Sequence, residues 1–100
     1  MPRKKTTISF ADSAVSDLEE IRDWYAAQQV PDVGKQLVKD ILLCLERLAD
    51  FPESGRIVPE FGLANLREVI HPPVRIVYRL DENRVRIVRV WRSERLLQIP

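Results

Sequence analysis

Residues 74–92, VRIVYRLDENRVRIVRVWR, constrain the fold more than any other stretch of this chain. Two β-branched runs with apolar residues at alternate positions flank Asp81-Glu82-Asn83, which suits a tight turn. Runs of that period are strands, and so short a joint makes them antiparallel neighbours. The pattern predicts strands over 74–80 and 84–91. Side chains alternate across a strand, so Val74, Ile76, Tyr78 and Leu80 belong to one face, and Arg75, Val77 and Arg79 to the other. The apolar set is expected to meet a core, leaving Arg75 and Arg79 on an open face. The second strand divides less cleanly. Arg84, Arg86, Val88, Val90 and Arg92 alternate with Val85, Ile87, Arg89 and Trp91, so its middle is apolar on both sides, as in a central strand. Arg89 is the odd residue there.

The rest of the chain supplies what this hairpin packs against. Residues 66–71 read as a further strand, broken off by Pro72-Pro73 because neither ring donates a ladder hydrogen bond. Residues 6–10 read as a short opening strand. Ala14, Leu18, Ile21 and Tyr25 then recur at helical spacing, with Asp12 or Ser13 as the expected cap and Asp17, Glu19, Glu20 and Asp23 on the opposite side. Val30-Pro31-Asp32 breaks that helix, and Asp32 is expected to cap a second over about 33–49. Its stripe is Leu37, Ile41, Leu45 and Leu48, widened by Val38, Leu42 and Ala49, so much of it is expected to be buried. The short joint predicts an antiparallel helical hairpin. Residues 51–55 are turn chemistry, and 56–65 are expected to be a loop with little regular structure. The order β-α-α-β-β-β implies an α+β fold, a helical hairpin packed on one face of a mainly antiparallel sheet. One hundred residues, 45% of them hydrophobic, fit a single domain over 1–100.

No apolar run approaches the roughly 20 residues of a membrane span. The basic N-terminus leads into charged residues, without the apolar segment of a secretory signal. Cys44 stands alone in an apolar helical run and reads as a core residue, so a reducing cytoplasm is the expected setting. Charge is uneven. Residues 1–55 hold seven Lys and Arg against ten Asp and Glu, whereas residues 56–100 hold nine Arg against five acids. A polarised surface of that kind steers a partner. It argues only weakly for indiscriminate nucleic-acid binding, which favours a domain basic throughout. Neither sequence-specific nucleic-acid binding nor a membrane is expected as a partner. The arginines have two readings: they keep an exposed sheet soluble, or they grip carboxylates, phosphates or rings with a planar fork that lysine lacks.

Three pieces in order, ISFADSAVSDLEEIRDWY, LADFPESGR and LREVIHPPVRIVYRLDENRVRIVRVWRSERLL, cover most of residues 8–97. Together they resemble the RelE/ParE superfamily of toxins from type II toxin–antitoxin pairs. That family carries a small β-α-α-β-β-β fold, in agreement with the periodicity. Its members often open the first helix with Ser-Pro, where this chain has Ala11-Asp12. The resemblance implies a toxin neutralised by a cognate antitoxin. It also implies one of two actions: RelE-like members cut messenger RNA in the ribosome, and ParE-like members inhibit DNA gyrase without being nucleases.

RNA cleavage by 2′-hydroxyl attack needs a base, an acid and cations for the phosphorane charge. Arg75 stands where RelE-like toxins place a phosphate-binding arginine. The C-terminal tyrosine or histidine of ribonucleolytic relatives has no counterpart in Leu96-Leu97-Gln98-Ile99-Pro100, and residues 40–100 hold no lysine. A nuclease would have to draw on Arg75, Arg89, Arg92, Glu94 and His71. For His71 a structural place at a strand end competes with catalysis, and for Glu94 an ion pair with a neighbouring arginine does. Tyr78 reads as packing. No metal-ligand set is present and no cofactor is implied. The missing acid–base pair favours the ParE-like action, with Arg75, Arg79, Arg89, Arg92 and Arg95 as the target-binding set and DNA gyrase as the target. Trp24, Leu43 and Leu63 are candidate apolar anchors for the antitoxin, with Arg75 and Arg92 pairing its carboxylates. On this reading, alanine at Arg75 or Arg92 weakens toxicity more than folding.

Overall fold

The computed structural model of the chain describes residues 6–92. In chain order these form β1 (Thr7–Phe10), α1 (Asp12–Ala27), α2 (Pro31–Asp50), β2 (Arg56–Ile57), β3 (Leu66–His71), β4 (Val74–Asp81) and β5 (Arg84–Arg92). The five strands make one sheet in the order β1-β5-β4-β3-β2; β1 runs parallel to β5 and the other pairs are antiparallel. The expected α+β architecture is present, with a two-residue strand inside the segment read as a loop. Pro72 and Pro73, joined by a cis peptide, do not separate β3 from its neighbour. They form the turn of a hairpin in which His71 pairs with Val74. A turn is where prolines interrupt a ladder least, since turn residues need not donate to it.

The core lies between the helical hairpin and one sheet face. Ala14 and Ile21 of α1 and Leu37, Ile41, Leu45 and Leu48 of α2 meet Val74, Ile76, Tyr78, Val85, Ile87 and Val90, all buried. The helix stripes therefore fall where the spacing puts them, but α2 buries a narrower face than expected: Leu42 is 44% exposed. Gly34 lets α2 approach α1 closely, since a Cβ there would lie 2.9 Å from that of Tyr25. Among the described residues no helix is long and apolar enough to cross a membrane.

The helix caps differ from expectation. α1 starts after Ala11 and α2 after Val30, and neither has a side-chain cap bond. Pro31 stands in the first turn of α2, where its missing N–H costs nothing. Ser13 uses its hydroxyl differently, donating to Val88 O at 2.7 Å. That bond belongs to the join between α1 and β5. β1 ends where Phe10 faces Ile87, but β5 runs on to Arg92, leaving an open edge. α1 closes it: Ala11 N–H donates to Ile87 O at 2.8 Å, and Asp17 accepts the Val90 N–H at 2.9 Å. Asp17 is consequently buried rather than on the solvent side of α1.

A bulge explains the uneven alternation of β5. Val77 pairs with Arg89 and Tyr78 with Ile87, so Val88 is unmatched and the phase of the strand reverses there. Val85 and Ile87 before the bulge and Val90 after it all reach the core. Arg92, opposite Val74, is carried to the helix side.

Candidate functional site

The face of the sheet turned away from the helices carries most of the arginines, and register shows which of them meet. Arg56 pairs with Glu68, Glu68 with Val77, Ile70 with Arg75, and Arg79 with Arg86, all on this face. Arg75 is not open as its alternation suggested: it is only 9% exposed. Its Nη1 and Nη2 donate to Glu60 at 2.8 and 2.7 Å, and its Nε donates to Glu68. The Nε of Arg56 donates to the other Glu68 oxygen at 2.6 Å. A fully buried carboxylate thus lies between two guanidinium groups, and Glu60, from the loop between β2 and β3, closes over the second. The hydrogen bond from Arg75 holds Glu60 well below its usual range, at about 2. The same contact pushes the Arg75 pKa up against the effect of burial, with Glu68 adding to the rise. Each nitrogen of the Arg75 guanidinium donates to a carboxylate, which corrects the expectation of an exposed, phosphate-ready arginine.

The loop before β2 is held from the core side. Tyr78, fully buried as expected, donates its hydroxyl to Pro52 O at 2.7 Å and accepts Gly55 N–H at 3.0 Å. Burial raises its pKa. Gly55 is required by this approach, because a Cβ would stand 2.5 Å from the Tyr78 hydroxyl and 2.7 Å from the Glu68 carbonyl. Arg67 adds bonds from Nη1 to Glu53 O and Gly55 O, and from Nε to Ala64 O.

Arg89 and Arg92 lie at the other end of β5. Arg89 donates to both oxygens of Asp17, at 2.7 and 2.9 Å, and its pKa is raised by that bond. Its guanidinium also sits 4.6 Å from the Trp91 ring centre. The Arg92 guanidinium stacks 3.6 Å from the centre of Trp24, whose edge meets Tyr25. A cleft of about 710 Å³ opens between α1 and the end of β5, with Asp17, Glu20, Asp23, Trp24, Arg89 and Arg92 in its wall. Cations and acids share it.

Three arginines differ. Arg79, Arg84 and Arg86 are exposed, and none has an ion pair, hydrogen bond or ring contact among the described residues. His71 is half-buried at the end of β3, its Nδ1 3.8 Å from Cys44 Sγ and its Nε2 3.9 Å from Asp40 Oδ2. It faces the helices, in register with buried Val74. Cys44 packs against the core margin, as its helical position predicted. Trp24, Leu43 and Leu63 are 41%, 57% and 55% exposed, on α1, α2 and the loop before β3. A second groove of about 300 Å³ runs between the outer sides of the helices, floored by Val15, Leu18 and Val38 and rimmed by Glu19, Arg22 and Lys35. Glu94 and Arg95 lie outside the described residues. No group of described residues could hold a metal ion.

Charge-bearing residues without a role in the sequence analysis are Arg56, Glu60 and Glu68, and Asp17, expected to face solvent, is buried. A usable signal existed for one. Taking Pro72-Pro73 as a two-residue turn sets His71 opposite Val74, and counting back puts Glu68 diagonal to Arg75.

A sequence profile of the ParE toxin of the type II toxin–antitoxin system parDE matches residues 8–97. The chain belongs to the ParE toxin family. Its fold is shared by a chain of the chromosomal ParDE toxin–antitoxin system from P. aeruginosa, with a TM-score of 0.74, 21% identity, and coverage of 90% of this toxin and 98% of that chain. It is also shared by a chain of the RelBE2 toxin–antitoxin complex from Mycobacterium tuberculosis, with a TM-score of 0.62, 22% identity, and coverage of 88% and 98%. A conserved hypothetical protein from Helicobacter pylori is similar over 89% of this ParE-family chain and 96% of its own, with a TM-score of 0.57 and 16% identity. No curated protein matches in sequence. The molecule is therefore a type II toxin of the RelE/ParE superfamily, on its ParE-like branch.

Proposed function

We propose that this ParE-family toxin acts in the cytoplasm by binding DNA gyrase, without cutting RNA, and that a cognate antitoxin neutralises it. One observation carries the choice between the two actions. A ribonuclease needs its base and its cations around the same phosphate. Here His71 is on the helix face of the sheet, whereas the sheet arginines without a partner among the described residues, Arg79, Arg84 and Arg86, are on the opposite face. Arg79 is also five residues along β4 from the partner of His71, roughly 17 Å of strand. The other cations offered for a nuclease are engaged: Arg75 by Glu60 and Glu68, Arg89 by Asp17, and Arg92 by Trp24. Among the described residues no acid–base pair is assembled on this surface, which supports binding over cleavage.

Within this reading, Arg89 and Arg92 at the cleft meet the target, and Arg75 acts indirectly by fixing the loop that carries Glu60. Trp24, Leu43 and Leu63 are the apolar anchors left for an antitoxin. The groove between the helices has the apolar floor and charged rim that suit an amphipathic helix. The ParDE and RelBE2 neighbours come from toxin–antitoxin systems, which supports an antitoxin as the partner. Purified toxin added to gyrase and plasmid is expected to stop supercoiling and accumulate cleaved plasmid. Site-specific cuts in ribosome-bound message, with gyrase unaffected, would instead establish the RelE-like action.

A further inference from the structure

We infer that the outer face of the β4–β5 hairpin is a contact for the phosphate backbone of duplex DNA, carried by Arg79, Arg84 and Arg86. The strongest sign is an arrangement that costs the isolated fold. Arg79 and Arg86 stand directly opposite one another across the β4–β5 ladder. Like charges in that position destabilise a sheet. Elsewhere on the sheet this chain relieves its arginines locally: Glu68 serves Arg56, Glu60 and Glu68 serve Arg75, backbone carbonyls serve Arg67, Asp17 serves Arg89, and Trp24 lies under Arg92. Arg79 and Arg86 have no such relief among the described residues, and an anion from outside supplies it.

The geometry suits phosphates. Arg84 and Arg86 are two residues apart on one face of β5, a separation of roughly 6.7 Å along the strand. That is close to the distance between successive phosphates of a nucleic-acid strand. Thr7 and Ser9 of β1 are in register with Arg84 and Arg86, so hydroxyl donors flank the guanidinium row. Arginine, serine and threonine are the usual donors to phosphate oxygens. Asp81, opposite Arg84, is the one acid in the ladder here, and it makes no ion pair with that arginine.

The same surroundings disfavour an acidic protein as the occupant. Protein interfaces are anchored by buried apolar or aromatic side chains ringed by polar ones. Among the described residues, the exposed large apolar side chains lie on the helices, the loops, β2 and Ile70 of β3; none is on β1, β4 or β5. A charged row without an apolar anchor binds a polyanion through its charge. Such binding is independent of base sequence, since phosphates carry no sequence information directly. The inference leans on the gyrase reading only for which duplex the toxin meets in the cell.

The test uses the purified full-length toxin and a short fluorescent DNA duplex of arbitrary sequence, with affinity followed by anisotropy over a salt series and no gyrase present. Three phosphate contacts predict a slope of log K against log salt of about −2.7. Arg79→Ala/Arg86→Ala is expected to bind roughly tenfold more weakly or worse at low salt, with the slope reduced to about −0.9. The N-terminal cations are unchanged in this variant, so the difference reports the hairpin. Arg79→Lys/Arg86→Lys, which keeps the charge, is expected to retain the slope. A Lys39→Ala/Arg47→Ala control on α2 should bind as the parent does. Thermal melting checks the fold, and removing the like-charge pair is expected to leave the melting temperature unchanged or higher. Absence of duplex binding at low salt, or equal binding by the parent and Arg79→Ala/Arg86→Ala, overturns the inference. So does hairpin-dependent binding of a polyglutamate peptide without hairpin-dependent binding of duplex, which would make the face a protein contact. Hairpin-dependent duplex binding by a toxin that leaves gyrase untouched would uphold this inference and remove only the gyrase reading.

Discussion

Arg75 carries the sharpest lesson at the level of single residues. Its strand position puts it on the face away from the helices, yet it is buried between Glu60 and Glu68. Removing one member of a buried ion network leaves an uncompensated charge and costs about 3–5 kcal/mol. Arg75→Ala is accordingly expected to lower stability by that order in urea denaturation, so loss of toxicity in this variant would report folding as much as target contact. Glu60 supplies a pH test. Its ordinary pKa of 4.5 falls to about 2 in the fold, so its contribution is complete above pH 4.5 and disappears as pH drops toward 2. Thermal melting of the parent and Glu60→Gln is expected to differ above pH 4.5 and converge on acidification through that window. Curves separated equally at all pH values would show that the Glu60 charge does not matter. Tyr78 was legible from alternation alone, because its burial is a property of its own strand. The burial of Arg75 was not, because it depends on Glu60, carried by the loop between β2 and β3, which strand alternation does not place.

Among the elements, the join between α1 and β5 organises the candidate site. β1 is too short to cover β5, and α1 completes the edge with Ser13 and Asp17. The helix that brings Ala14 and Ile21 to the core therefore also sets the wall of the cleft that holds Arg89 and Arg92. Asp17→Ala would leave the Val90 N–H buried without its acceptor, at a cost of about 1–3 kcal/mol. Loss of the Arg89 pair adds little, since that side chain is 41% exposed and screened by solvent. Asp17→Asn keeps an acceptor and is expected to recover most of the loss; equal destabilisation in the two variants would assign it to the ion pair instead. Helix stripes, four of the five strands and the α+β class followed from periodicity, which is local. The capping role given to Ser13 and the solvent-facing place given to Asp17 failed for one reason: both side chains are used by a strand more than 70 residues away. The bulge at Val88 had a visible trace, the uneven alternation of β5, but only pairing with β4 reveals which residue is unmatched.

On the scale of the whole molecule, the halves of the chain differ in charge as the sequence indicated, but folding changes what the basic half offers. Most of its arginines are consumed in holding loops, edges and rings. Arg79, Arg84 and Arg86 form one small open patch on the sheet face opposite His71. That division puts the only histidine on the other face of the sheet from these three arginines, and it supports a binding toxin over a nuclease. The most direct measurement is a gyrase supercoiling and cleavage assay with purified toxin, run beside a ribosome-bound message cleavage assay on the same preparation. The account predicts blocked supercoiling, accumulation of cleaved plasmid and intact message. Normal supercoiling together with site-specific cuts in the message would contradict it.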